Sequence, residues 1–304
     1  MRDPVFDLPS CLLSELESSG LGKGDRGELI GMILCLMARD AAAKKLYSSI
    51  ISVPNFIQEL LNSSADDLHS KPALAQTLKE ANQTLQDTFC QSKIYFNHFI
   101  KFCDTRIINR KYFLRLIAHG AAGLGCTDFQ YGLDIVIPFL YWNSLLQQEN
   151  VSAFIIQVKN NQTFQVNPCD WVFELMNPYH IGFLDKSKTT PVPIIRMVFT
   201  LASTTPAVVM LQPPKRMQPP RDAVHQSKLW FDKFTTSDIW CAMASHKTFL
   251  PIKDDSVFRK ILLRCGVFPH IYSKESESLQ IATRSMYPGT NVHPAHWHFF
   301  DELR

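Results

Sequence analysis

Two hydrophobic periods alternate along this chain, and each sets a different kind of element. VSAFIIQVKN, residues 151–160, is an apolar run that ends with Gln157 and Lys159 two residues apart around Val158. In a strand, residues i and i+2 share a face, so the amide and the ammonium project together while Ile156 and Val158 face the other way. GLDIVIPF, residues 132–139, is a second strand-like run with a single charge, Asp134, just upstream. A hairpin of the two would set Asp134 beside Gln157 and Lys159. PVPIIRMVFTLAS, residues 191–203, and AVVMLQPP, residues 207–214, predict further strands. Together these segments predict a mixed sheet of at least four strands.

The other period is helical. LIGMILCLMARDAAAKKL, from Leu29, is apolar around most of its circumference and predicts a core helix. Asp25 and Glu28 stand three apart just ahead of it, the arrangement of a capping box. A short helix is expected at 8–19, separated from this one by Gly20, Gly22, Gly24 and Gly27. From Pro54 to His119 the spacing reads as helical throughout, KIYFNHFIKF included, and predicts a helical insertion at 45–127. The paired prolines of PPKRMQPPR, residues 213–221, exclude helix and deny ladder donors, which marks a boundary there. The expected organisation is a domain over 1–214 and a C-terminal extension over 215–304, in which TSDIWCAMASH reads as helix. The fold class is α/β: a mixed sheet flanked by helices, with a helical insertion and an α/β extension.

Composition narrows the function classes. Lys and Arg total 31 against 28 Asp and Glu, a net charge of +3, so contact with nucleic acid would depend on local clustering. Such a cluster lies at Arg106, Arg110, Lys111 and Arg115, near Phe99 and Tyr112. It predicts a nucleic-acid surface or, more blandly, a solvated helix face. The eight cysteines contain no CxxC pair, which argues against zinc ribbons and dithiol redox sites. No basic-then-apolar leader and no 18-residue apolar span occurs. The expectation is a nuclear or cytoplasmic protein without a membrane segment. The crowded His293, His296 and His298 resemble a metal site, but the neighbouring Pro294 favours an ordered aromatic tail.

Lys159 among apolar neighbours calls for an acid, a metal or an anionic substrate. Asp134 and the Gln157 amide offer hard oxygen donors, which suit Mg²⁺ or Mn²⁺, and Glu28 on the early helix completes the constellation. Singly, each residue has a plain structural reading: a cap for Glu28, an ion pair for Asp134, a satisfied amide for Gln157, a solvated strand end for Lys159. In phosphodiester hydrolysis a metal held there would polarise the phosphoryl group and lower the pKa of a bound water.

At these residues the sequence resembles the PD-(D/E)xK nuclease superfamily, whose core is a helix, three strands, a helix and a fourth strand. The family's helix glutamate maps onto Glu28 in DRGE, its strand aspartate onto Asp134 in GLDIVIP, and its acid-x-lysine motif onto Gln157 and Lys159 in IIQVKN. Glutamine in that motif is a departure shared with Mrr-like restriction enzymes. Leu133 replaces the family's proline, and the long interval from Glu28 to Asp134 requires the insertion to be looped out of the core. The resemblance implies a restriction-endonuclease-like fold and DNA as partner. It also implies catalysis by Glu28, Asp134, Gln157 and Lys159, with Mg²⁺ or Mn²⁺ held by Asp134, Gln157 and Glu28. The alternative is a catalytically inactive module of the same fold that binds nucleic acid or protein. The chain also resembles the C-terminal region of uncharacterised fungal proteins, which implies an upstream NTPase or other module outside this chain. A homodimer is a further expectation.

Overall fold

The computed structural model describes residues 23–62, 64–102, 107–125, 132–143, 145–185, 191–213, 233–255, 258 and 262. The chain divides into two compact units, one of residues 27–255 and the other of 1–26 with 256–304. In the second unit the described residues are few, and the expected helix at 8–19 and the histidine-rich end lie outside them. The sheet lies within the first unit.

Strand β6 (Val151–Lys159) forms its middle, buried at every position except Lys159. A strand covered on both faces is written as a nearly continuous apolar run, as this one is. β5 (Ile135–Leu140) pairs with it antiparallel, Ile135 opposite Ile156, and β7 (Ile194–Thr200) pairs with it parallel on the other side. β9 (Thr236–Ala242) follows in parallel with β7, and β8 (Ala207–Met210) closes that edge antiparallel to β9. The outer edge of β5 is shared. β4 (Ala121–Leu124) pairs with its first residues and β2 (Lys93–Ile94) with its last, while β3 (His98–Lys101) lies parallel to β4 and β1 (Ile51–Ser52) lies beyond β2. The described strands make one nine-stranded mixed sheet.

Helices cover both faces. On one, α1 (Lys23–Leu46) crosses β5, β6 and β7 so closely that a Cβ on Gly31 would lie 2.9 Å from Ile135 and 3.1 Å from Val158. Beside it α2 (Val53–Leu60) sets Phe56 edge-on against Phe154, ring centroids 5.3 Å apart. Two short helices, α3 (Leu78–Asn82) and α4 (Leu85–Phe89), follow. On the other face α5 (Arg110–His119) and α6 (Asp170–Leu175) pack Phe113, Leu116, Val172 and Phe173 into the cluster that holds Val136, Ile155, Val198 and Trp240. α5 stops at Gly120, whose φ of 63° ends the helix in a left-handed cap. α6 is the crossover that two adjacent parallel strands require.

Three expectations are corrected. α1 already runs from Lys23, so Asp25 lies inside its first turn and does not cap it from outside. The segment 45–127 is not a purely helical insertion, because it supplies β1, β2, β3 and β4. KIYFNHFIKF spaces Ile94, Phe96 and Phe99 closely enough to suit a helix, but its backbone groups are taken by β5 and β4. TSDIWCAMASH contains strand β9, whose seven residues are all buried and pair in register with β7. Tertiary pairing decides there, and Thr236, Ile239 and Trp240 suit the pleated surface. The sheet therefore continues beyond residue 214.

Candidate active site

Asp134 sits where the chain enters β5. Its N–H donates to the Ile156 carbonyl at 3.0 Å and its own carbonyl accepts from Gly125 N–H at 2.7 Å, so the backbone is fixed on both sides. The register of β5 on β6 places its side chain on the face that carries Val136 and Ile155, the same face as Gln157 and Lys159. Asp134 is 9% exposed and Gln157 4%. One carboxylate oxygen, Oδ2, accepts from both Gln157 Nε2 and the Val158 N–H, each at 2.5 Å. Burial pushes the Asp134 carboxyl up to about 6, against the opposing pull of the Val158 hydrogen bond, the Lys159 charge and the Gln157 amide. Desolvation wins because two neutral donors and an ammonium do not replace the water that a carboxylate loses.

Lys159 is half-buried, with Nζ 5.9 Å from the centre of the Phe164 ring. It reaches Asp134 through its field, since no ion pair of 4 Å or less joins the two among the described residues. Phe164 in turn lies 5.9 Å, centroid to centroid, from Trp171 at the start of α6. The far end of α6 returns to Asp134: Gly132 has φ 85°, and a Cβ there would run into the Leu175 carbonyl oxygen. Glycine is required at 132 on both counts. The sequence marked it only as the first residue of the strand-like run 132–139.

Glu28 is half-buried on α1. Its neighbour Gly27 packs on Val158 and on the Asn160 Cβ, where an added Cβ would come within 3.3 and 2.9 Å. Val158 points away from Gln157, so Glu28 belongs to the helix on the opposite face, at the same end of β6. The structure thus joins Asp134 to Gln157 directly, sets Lys159 on their face, and places Glu28 across the sheet. Among the described residues no group of three or more His, Cys, Asp or Glu gathers as a metal cluster would.

The basic stretch is split. Lys111 and Arg115 are exposed, one turn apart on α5, and Arg106 lies outside the described residues. Arg110 turns inward over Phe183, 5.7 Å from its centroid, beside a cavity of about 200 Å³ lined by Asn109, Glu149 and Tyr179 among others. Burial lowers its pKa, while the charges of Glu149 and Tyr179 act to raise it. Glu149 precedes β6 and Pro191 precedes β7, so this cavity lies at the end of the sheet opposite Asp134.

A second buried polar group escaped the sequence. Arg196 on β7 grips Asp238 on β9 through Nε at 2.7 Å and Nη2 at 2.5 Å, and its Nη1 donates to the Phe173 carbonyl at 2.7 Å. Thr236 Oγ1 donates to Asp238 at 2.8 Å, and Phe173 and Phe234 flank the guanidinium. The available signal was one lone charge of each sign in two otherwise apolar runs, PIIRMVF and SDIWCA. No helix among the described residues is long and apolar enough to cross a membrane. Compared with known proteins, the chain matches no protein-family model, no curated protein and no solved structure.

Proposed function

We propose that this protein is a metal-dependent nuclease that hydrolyses DNA phosphodiester bonds at Asp134, Gln157 and Lys159. The observation that carries the reading is the Asp134 carboxylate, buried against Gln157 and raised in pKa beside an ammonium that does not pair with it. A carboxylate held in that state gains from a divalent cation more than a solvated one would. Once β1–β3 and α2–α5, which lie between α1 and β4, are set aside, the order α1, β4, β5, β6, α6, β7 also supports it, being a helix, three strands, a helix and a fourth strand as in the PD-(D/E)xK core.

The donor set fits a hard cation. Asp134 brings a carboxylate and, with Gln157 Nε2 committed to Asp134, Gln157 Oε1 is left as the amide ligand. Glu28, on the helix of the opposite face, is left out of this set. When bound, Mg²⁺ or Mn²⁺ would polarise the phosphoryl group and lower the pKa of a coordinated water. Lys159 would hold a phosphate oxygen and stabilise the charge that builds on it. Gln157 has a further role, since its N–H keeps Asp134 oriented.

The test is a cleavage assay on supercoiled and branched DNA with Mg²⁺ or Mn²⁺, with binding recorded in parallel. Nicking by the wild type should vanish in Asp134→Ala and Lys159→Ala and survive or rise in Gln157→Glu. A second reading, a binding module without activity, is favoured by the neutral amide at Gln157, which brings no second negative charge beside Asp134. Binding without cleavage by either the wild type or Gln157→Glu would overturn the nuclease and leave that module.

A further inference from the structure

Trp171 is 51% exposed, although the two residues after it, Val172 and Phe173, are buried in the core. Its indole rests against Phe164, and the Lys159 ammonium stands over that same Phe164 ring. At the far end of α6, one turn on, it is the Leu175 backbone carbonyl that packs against Gly132, two residues before Asp134. α6 is therefore a wall running from Lys159 to Asp134, with an aromatic face open on its rim.

Nucleobases of every kind stack on such a face, and each carries a phosphate one sugar away, so one strand can meet Trp171 with a base and Lys159 with a phosphate. The neighbouring ridge of α6 selects the form of the strand. Asp170 and Glu174, both exposed, stand one turn apart beside Trp171. A duplex, with a charge about every 1.7 Å of its axis, would bring a second phosphate backbone against these carboxylates. A single strand can turn its bases toward the helix and keep its phosphates on the Lys159 side.

We propose that the Asp134 site acts on single-stranded nucleic acid, DNA or RNA, with a base stacked on Trp171 and the adjoining phosphate at Lys159. This rests on reading Asp134 and Lys159 as a phosphodiester site. Phe164 is then a positioning residue, which holds the ammonium and the indole at a fixed spacing.

The experiment measures binding and cleavage of a labelled 20-nucleotide single-stranded DNA, its RNA counterpart and a 20-base-pair duplex. The wild type, Trp171→Phe and Trp171→Leu are compared at fixed salt, with folding checked by circular dichroism. The wild type should prefer the single strands. Trp171→Leu, which keeps apolar volume without a π face, should weaken them roughly 5- to 150-fold and leave the duplex unchanged. Trp171→Phe should retain most of the affinity. Comparable effects on DNA and RNA fit a shared stacking site, and a loss confined to one of them names the substrate. Duplex preference, or single-strand affinity equal in all three proteins, would overturn the inference while cleavage still tested the nuclease. Single-strand binding through Trp171 with no cleavage in any metal would keep the inference and sink the nuclease. No binding by the wild type to any of the three would sink both.

Discussion

The Asp134 carboxyl makes a stability prediction that can be separated from catalysis. Its ordinary pKa is about 3.9, and in the folded chain burial raises it to about 6. Unfolding in the window between these values releases a proton, because the native carboxyl still holds one that the unfolded carboxyl has lost. Stability contributed by this group is therefore fully present below about pH 4 and is lost as pH rises through 6. Two pKa units at about 1.4 kcal/mol each make the loss about 3 kcal/mol at pH 7. Asp134→Asn keeps an oxygen that can accept from Gln157 and Val158 and carries no charge. The variant should equal the wild type near pH 3.5 and be about 3 kcal/mol more stable at pH 7 in metal-free buffer. Urea unfolding at a series of pH values reads the gap directly. Mg²⁺ at ten times its Kd should then return about 1.4 kcal/mol to the wild type alone. A variant less stable than the wild type at pH 7, or a gap that does not grow with pH, would refute the account of why this carboxyl is raised.

Two further predictions concern the rest of the unit. Asp238→Ala leaves the Arg196 guanidinium buried without its anion and should cost about 3–5 kcal/mol in urea unfolding, whereas Arg196→Met with Asp238→Leu should recover much of that loss. In DNA binding, Lys111→Ala with Arg115→Ala should lower the slope of log affinity on log salt by roughly 2, whereas Arg110→Ala should leave it unchanged because that guanidinium faces the cavity.

The sheet was legible where one rule sufficed. Period-two alternation at Gln157 and Lys159, with Asp134 alone among the apolar residues of the preceding strand, was enough to set the three on one face. β9 was not legible, because Ile239, Trp240, Cys241 and Ala242 are buried on both faces and show no alternation. β2 and β3 are only two and four residues long, too short for a period to register against the helical spacing of their aromatics. Exposure is a further quantity that pattern does not carry. That Trp171 stays open while Phe173 is covered follows from where α6 meets the sheet.

The place of β9 has a consequence for synthesis. β7 and β8 are consecutive in the chain, separated only by the six residues between Thr200 and Ala207, yet in the finished sheet β9 stands between them. As the chain leaves the ribosome, the pairing within reach of β7 is a hairpin with β8. At about 5–20 residues per second, Ala242 emerges roughly 2–8 s after Thr200. In that interval Arg196 lacks Asp238, the anion it grips in the finished sheet. Any β7–β8 hairpin formed in that interval would have to open for β9 to enter, and the Arg196–Asp238 pair then favours the final order.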